Sequence, residues 1–425
     1  MKIGSNHIKN WQENQQELLQ QQILYIAEHS PYYQRIFKEN KLDISDFSLV
    51  DFSKLPITTK EDLARYNDEF VAVPQSEIID IVTTSGTLGE PVSFALNEDD
   101  LQRLATNEEQ SFQQIGITKN DVVQITTTLD RQFVAGLAYF LGLRKLGAGI
   151  IRLGAGIPEL QWKSILRFQP TYLISVPSFL LKLIDYAEKN GIDCNKTSIK
   201  GAICIGEPIR NENFELNPLG QKITAHWGIE LFSTYASTEM CTAFTECKAH
   251  EGNHIQEDLI FTEVLDDNGN PVKDGEIGEL TITTLGVQTM PLLRYQTGDM
   301  VKKISSTCSC GKNGERISAV LGRKKQLIKY KGTSIYPLQI LNALASFPDL
   351  KNYLIIASSN SLNEDVLSVV IEYDTTFKIQ QNLREHLQAT IRVIPELVLW
   401  KKETLQQAIF NPKSRKPIRF LDKRN

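Results

Sequence analysis

No apolar run in this 425-residue chain is long enough to cross a bilayer. The richest, Phe133 to Leu143, is short and is closed by Arg131 and Arg144. The opening residues, Met1-Lys2-Ile3-Gly4-Ser5-Asn6, hold no apolar core of a secretory signal. Positive charge is not in excess either: the net charge of -5 gives no general reason to expect nucleic acid or an anionic membrane as partner. These absences predict a cytoplasmic protein. Cysteine is sparse, with six in the whole chain, which excludes a disulfide framework and leaves metal binding or buried thiols. Internal repeats are absent, and the only biased tract is a Gln-rich helix near residue 20. What remains, 41% hydrophobic and 23% charged residues, is the composition of a soluble globular protein with room for two or more domains.

The chain changes rhythm three times. Leu18, Leu19, Ile23, Leu24 and Ile26 fit an amphipathic helix that ends near Ser30-Pro31, and a loop-rich stretch follows. From about residue 120, β-branched runs alternate with helical ones: Val122–Thr127, Phe133–Leu146, Gly149–Leu153, Leu160–Phe168, Tyr172–Val176, Phe179–Glu188 and Ala202–Ile205. That spacing predicts parallel βαβ units, whose ligands bind beyond the carboxyl ends of the strands. After Tyr235 the pattern turns β-rich, and beyond Gly322 it becomes a compact α+β unit of roughly 100 residues. The fold class expected is α/β: a large N-terminal domain, residues 1–322, with βαβ layers and a β-rich subdomain, followed by a small α+β domain, residues 323–425.

One short stretch is chemically unusual. "TTSGTLGEP", residues 83 to 91, puts four hydroxyls and two glycines within a few residues between two strand-like runs. A plain hairpin turn needs fewer, and the surplus suits a loop whose amides and hydroxyls wrap a phosphate. Four further stretches stand in fixed order after it: IGEP (205–208), YASTE (235–239), RYQTGD (294–299) and GRKKQLIKYKG (322–332).

In this order the five resemble the core motifs of the acyl-adenylating superfamily of CoA ligases, peptide-synthetase adenylation domains and luciferases. "SPYYQRIF" (30–37), "LPITTKEDL" (55–63), the short chain and Cys308-Ser309-Cys310-Gly311 make it most similar to the phenylacetate-CoA ligase branch. The resemblance implies that Thr84, Ser85, Gly86, Thr87 and Gly89 cradle the β- and γ-phosphates of ATP. It implies that Gly206, Glu207 and Pro208 line the adenine pocket, that Tyr235 stacks on adenine, that Thr238 meets the phosphates, and that Glu239 holds Mg²⁺. A hard cation bridging phosphates needs only one carboxylate with water and phosphate oxygens. Asp299 would take the ribose hydroxyls, and Arg323 would lie near the ribose and α-phosphate. Lys325 stands at the hinge about which relatives rotate the small domain, where most carry an aspartate. Near the C-terminus, "NPKSRKPIRFLDKR" (411–424) places Lys416 at the catalytic lysine that bridges carboxylate and phosphate. Two departures stand out: Val92 replaces the lysine that ends many phosphate loops, and Arg415 and Pro417 flank Lys416, so that Lys413 or Arg415 could share its role.

Cys247, Cys308 and Cys310 with an upstream histidine supply four zinc-type ligands. "CKAHEGNH" (247–254) offers both His250 and His254, and the family pattern with Gly252-x-His254 favours His254 for a structural site. Cys194, Cys204 and Cys241 read as buried small hydrophobes. Phe133, Ala135, Gly136 and Tyr139 lie where relatives place the acyl pocket, with Gly206 at its floor, a lining suited to a flat aryl acid, and the same residues also fit a helix core facing the sheet.

The activity implied is an AMP-forming acid–thiol ligase using ATP, Mg²⁺, coenzyme A and structural zinc. It would activate an aryl or related carboxylic acid as acyl-AMP and transfer it to coenzyme A. The alternative acceptor is the thiol of a carrier protein or another enzyme. Self-association as a homodimer is left open, and the altered terminal motif also leaves room for a nucleotide-binding homologue without catalysis.

Overall fold

Parallel strands can be joined only by long crossovers, and residues 122–204 supply three of them as helices. In the computed structural model, which describes residues 11–44, 47–84, 92–348, 350, 352–360, 364–410 and 417–424, the chain separates into two compact units. The larger holds residues 1–215, 220–297 and 301–319; the smaller holds residues 216–219, 298–300 and 320–425.

In the larger unit, five parallel strands lie side by side in the order Gly149–Arg152, Val122–Ile125, Tyr172–Ser175, Gly201–Cys204 and Glu230–Ser237. Helices Val134–Leu146, Pro158–Phe168 and Pro177–Lys189 make the crossovers. Each begins and ends close to the bounds expected from the alternating pattern. Beyond Ser237 the sheet continues with antiparallel strands, Thr242–Glu246 and then Asn253–His254, Arg316–Ile317, Tyr295–Ile304, Ile277–Thr284 and Ile260–Leu265. Among the described residues no helix is long and apolar enough to cross a membrane.

The helix Glu98–Ile115 covers this sheet and has clear sequence causes. Asn97 and Asp100 form a reciprocal capping box at its start, and Gly116, at φ 90°, ends it. Its neighbour Val134–Leu146 packs on it through Gly142, where a side chain would place Cβ 2.3 Å from the Cβ of Glu108. Phe112, Ile115, Tyr139 and Leu143 fill the seam between them and the strands.

Three ionisable side chains of the Glu98–Ile115 helix are buried, Asp100, Arg103 and Glu108. Arg103, from the Glu98–Ile115 helix, has no carboxylate partner among its hydrogen bonds; it donates to the carbonyls of Leu285, Cys241 and Leu259 and to Thr242 Oγ1. Burial lowers its pKa, yet an arginine stays charged, so the carbonyl dipoles together with the nearby charge of Asp100 carry the compensation. Glu108 is buried one turn further along, beside Tyr139, and desolvation pushes its carboxyl up to about 8.

The smaller unit is built on strict strand alternation. Its sheet runs Glu396–Trp400, Asp365–Glu372, Tyr353–Ser359, Phe420–Asp422. Ile355, Leu367, Val369 and Ile371 face helices Pro337–Ala345 and Phe377–Ile391, while Leu354 and Val370 face the helix Lys402–Ile409. A separate hairpin, Ile328–Tyr330 with Thr333–Ile335, turns at Lys331 and Gly332, both at positive φ as a two-residue turn requires. The C-terminal strand is pinned by Arg424, which donates to Leu327 O at 2.7 Å, Asp365 Oδ2 at 3.0 Å and Asp422 Oδ2 at 2.7 Å.

Two stability measurements follow from the buried charges. The native carboxyl of Glu108 binds its proton more tightly than the unfolded one, so its contribution to stability is intact below the unfolded pKa and falls as pH rises toward 8. Glu108→Gln should therefore raise the melting temperature relative to the parent at pH 8.5 and change it little at pH 4.5; an equal shift at both values refutes this. Arg103→Met leaves three buried carbonyls without donors and should cost about 2–4 kcal/mol in urea unfolding. A cost of about 0.5 kcal/mol or less, the level of an ordinary surface change, would mean that the carbonyls find other donors.

Candidate active site and metal centre

Two of the stretches expected to bind nucleotide leave the carboxyl ends of adjacent parallel strands of the larger unit, Gly201–Cys204 and Glu230–Ser237. The hydroxyl-rich stretch opens where the hairpin Asp80–Thr83 with Ser93–Leu96 ends. Thr84 closes that hairpin: its amide donates to Val92 O at 2.9 Å, and its Oγ1 accepts from the Val92 amide at 3.1 Å. Ser85, Gly86, Thr87 and Gly89 lie outside the described residues. The Thr83 amide donates to Gln132 O at 3.0 Å, which joins the base of this loop to the turn after Val122–Ile125. Arg131 and Gln132 there both have positive φ, an uncommon backbone for side chains of that size.

The 205–208 stretch leaves the strand Gly201–Cys204, and Gly206 takes φ 73°. Glu207 reaches across to the start of the helix Pro177–Lys189. Its Oε2 accepts from the Ser178 amide at 2.8 Å and its Oε1 from Ser178 Oγ at 3.0 Å. A carboxylate at a helix N-terminus is favourably placed against the dipole and the unpaired amides. Glu207 therefore anchors this loop to the next helix, while Gly206 and Pro208 shape it.

Tyr235 stands half-buried near the end of Glu230–Ser237, with its ring 6.0 Å from that of Phe244 on the neighbouring strand. The strand then turns back at once. Met240 N donates to Ser237 Oγ at 3.2 Å and Cys241 N to Thr238 O at 3.3 Å, so Thr238 and Glu239 sit half-buried at the tip. Arg103 holds the Cys241 carbonyl of the same turn from beneath.

The residues expected around the acyl group divide. Phe133 and Ala135 open the helix Val134–Leu146. Gly136 faces the preceding turn so closely that a Cβ would lie 2.2 Å from Thr128 O, and its role there is close backbone approach. Tyr139 is 2% exposed and belongs to the core with Phe112 and Ile125, where burial and then Glu108 push its phenol well above the usual range. The helix-core alternative describes Tyr139.

In the smaller unit Asp299 and Arg323 are cross-strand partners, with Arg323 Nε 3.3 Å from Asp299 Oδ1. Gly322, before Arg323, lies against Tyr336; a Cβ there would meet its ring at 2.3 Å. Lys325 is exposed in the 3₁₀ turn Lys324–Gln326, and Arg424 Nη2 donates to its carbonyl at 3.3 Å. Lys413, Arg415 and Lys416 lie outside the described residues.

Four potential metal ligands converge: the ligand atoms of Cys247, His254, Cys308 and Cys310 all lie within 4.8 Å of one another. Cys247 Sγ is 3.6 Å from Cys308 Sγ, and Cys310 Sγ is 3.6 Å from His254 Nε2. Those separations match the edges of a tetrahedron around zinc, about 3.6–3.8 Å for the usual Zn–S and Zn–N bonds. Burial, and then Lys312 and Arg316, push the His254 imidazole down to about 4, so it is neutral and ready to ligate. Ala249 N and Lys312 N point at Cys247 Sγ and Cys310 Sγ, each at 3.4 Å. His250 is turned away, with its ring nitrogens 3.1 Å from Glu230 and 3.2 Å from Glu246.

Some contacts that fix these loops carry no motif. Arg294 was legible only as the first letter of RYQTGD. In the structure it pairs with both oxygens of Glu263, at 2.9 and 3.0 Å, and donates to Ser53 O and Leu55 O. Its partners lie 31 to 241 residues away, so local pattern could not find them.

Comparison with known proteins agrees with this arrangement. The profile of the AMP-binding enzyme family matches residues 9–290, and that of the AMP-binding enzyme C-terminal domain matches residues 332–424. The chain is 30% identical to the phenylacetate-coenzyme A ligase of Thermus thermophilus over 84% of its own length and 80% of that protein. It is 28% identical to the Escherichia coli phenylacetate-coenzyme A ligase over 87% and 84% of the two chains. Among solved structures, a 2-hydroxyisobutyryl-CoA ligase in complex with 2-HIB-AMP superposes with a TM-score of 0.83 at 22% identity, covering 96% of this chain and 89% of that one. A likeness at that identity establishes the fold, and the sequence matches establish the rest: the chain belongs to the AMP-binding enzyme family, in its phenylacetate-CoA ligase-like branch.

Proposed function

We propose that this protein activates an aryl or closely related carboxylic acid in the cytoplasm. The chain is an ATP-dependent, AMP-forming acid–CoA ligase that works through an acyl-adenylate. The observation that carries this reading is the match of two family profiles and of phenylacetate-CoA ligases along most of the chain. Coenzyme A is favoured over a carrier-protein thiol, because the phenylacetate-coenzyme A ligases that match along most of the chain are CoA ligases.

The roles proposed for individual residues follow the chemistry. Adenylation joins a carboxylate to the α-phosphate and expels pyrophosphate, so negative charge must be gathered and held. Thr84, Ser85, Gly86, Thr87 and Gly89 hold the β- and γ-phosphates, with Thr238 beside them and Glu239 toward Mg²⁺. Gly206, Glu207, Pro208 and Tyr235 frame adenine, and Glu207 also anchors their loop to Ser178. Asp299 takes the ribose hydroxyls and Arg323 sits by the α-phosphate. Lys416 supplies the ammonium that stabilises charge at the α-phosphorus. Residues 1–322 act as the adenylation domain and residues 323–425 as a lid that turns about Lys325, a motion that needs a position able to absorb large φ/ψ changes. Phe133 and Gly136 remain the pocket candidates on the larger unit. Cys247, His254, Cys308 and Cys310 hold a structural zinc, a closed site that supplies folding energy and no step of the reaction.

Pyrophosphate and AMP should appear together when a panel of carboxylic acids is supplied with ATP and Mg²⁺, and the acyl thioester should appear only when coenzyme A is added. ADP and phosphate as products would overturn the adenylation reading. Lys416→Ala should depress pyrophosphate release by about 10²-fold or more, as expected for losing one charged contact to the transition state. If it does not, the lysine role belongs to Lys413 or Arg415.

Zinc gives an independent check. One equivalent should co-purify from protein prepared without chelator, and Cys308→Ser should lower the melting temperature and the metal content together. Metal analysis that finds no zinc in the parent removes the site. His250→Gln should keep the full equivalent, since that ring faces Glu230 and Glu246.

A further inference from the structure

We propose that Glu246 is a positioning residue for the nucleotide site: a single buried carboxylate that fixes the 205–210 loop and the strand of Tyr235 to one another. This rests on the reading that those two segments bind ATP.

Glu246 ends the strand Thr242–Glu246 and is 1% exposed. Each of its oxygens is committed. Oε2 accepts from Arg210 Nε at 2.6 Å, and Oε1 accepts from the Ser233 amide at 2.5 Å. His250 Nδ1 stands 3.2 Å from the same Oε1, and His250 Nε2 is 3.1 Å from Glu230 Oε1.

The partners explain why a carboxylate at this depth matters to the site. Arg210 is two residues beyond Pro208, and its remaining donors reach Phe214 O at 3.0 Å and Leu231 O at 3.1 Å. Ser233 precedes Tyr235 by two residues on its strand. The 205–210 loop is therefore held at both ends by a carboxylate: Glu207 ties its start to Ser178, and Glu246 ties its end, through Arg210, to the strand of Tyr235. The two walls assigned to adenine thus share one buried anchor.

Arg210 is as dependent on Glu246 as the loop is on Arg210. Its guanidinium side chain is 10% exposed, and no other carboxylate lies at ion-pair distance among the described residues. Removing the opposite charge leaves a buried cation facing only carbonyls and forces the loop to move toward water. A displaced loop weakens what it contacts, even with every contacting residue unchanged. Glu246 itself touches neither nucleotide nor acid in this scheme. Its signature is accordingly selective, falling on ATP far more than on the carboxylic acid.

The test compares steady-state kinetics of the parent, Glu246→Gln and Arg210→Lys, with the substrates ATP and the best acid of the panel, and the melting temperature of each. Glu246→Gln should raise the KM for ATP about 10-fold, the scale seen when supporting-shell partners are lost, and leave the KM for the acid within about twofold. Arg210→Lys keeps the charge, loses the forked geometry, and should shift the KM for ATP in the same direction. If Glu246→Gln does not fold, Arg210→Lys carries the test alone. A KM for ATP that stays at the parent value in a folded variant overturns the proposal. So does an equal rise in both KM values that follows the loss of melting temperature, because that is the mark of general destabilisation. A parent enzyme that does not use ATP at all overturns the functional reading instead.

Discussion

Parallel strands put all their carboxyl ends on one side, and that constraint organises the larger unit. A chain that pairs Val122–Ile125, Tyr172–Ser175, Gly201–Cys204 and Glu230–Ser237 in parallel must emerge from the same edge four times. The loops at that edge are then neighbours regardless of their separation in sequence. This is how a turn near residue 130, the 205–208 loop and the 238–241 turn come to share one end of a sheet. The order of strands is set by crossover helices whose apolar faces bury against the sheet, so hydrophobic packing fixes the loops' addresses without fixing their conformations.

Conformation is set by buried charge. The half-buried Glu207 at the start of the helix Pro177–Lys189, Arg103 beneath the 238–241 turn, and Arg294 with Glu263 hold loop backbone, while Arg210 with Glu246 ties a loop to a strand. Loops with few apolar contacts cannot be fixed by burial, because they have little surface to bury. A charged group with several hydrogen bonds is an effective alternative, provided that every donor finds an acceptor. The same reasoning applies to the Cys247–Cys310 cluster, where short strands such as Asn253–His254 and Arg316–Ile317 offer little ladder of their own. Ligands converging on a metal would supply the missing cross-link.

The smaller unit follows a simpler rule. Each of its central strands alternates, sending one set of aliphatic side chains toward two helices and the other toward one helix. Both faces are covered. Its last strand pairs in parallel with Tyr353–Ser359, and Arg424 then ties the end of the chain to Leu327 and Asp365. The residues just before that strand are thus attached to a fixed support at their carboxyl side.

Sequence by itself determined the elements and the family. Strand and helix positions from Val122 to Cys204 follow from apolar periodicity, which is a local property and survives in one dimension. The five motifs are contiguous strings, and their order is legible without any contact being known. Tertiary structure decided everything that depends on direction or on distant partners. Tyr139 and Phe133 share one helical stretch, yet the helix turns Tyr139 into the core beside Phe112. The sequence offered both His250 and His254 as ligands, and only the family pattern favoured His254. The turn at His250, with φ 58°, sends one ring toward Glu230 and Glu246, while the pairing of His254 with Arg316 brings the other to the cysteines. Arg210 and Glu246 are 36 residues apart, and Arg103 meets acceptors 138 to 182 residues away. Such pairs leave no trace in local pattern, because a hydrogen bond depends on where two side chains end in space and not on what lies between them in the chain.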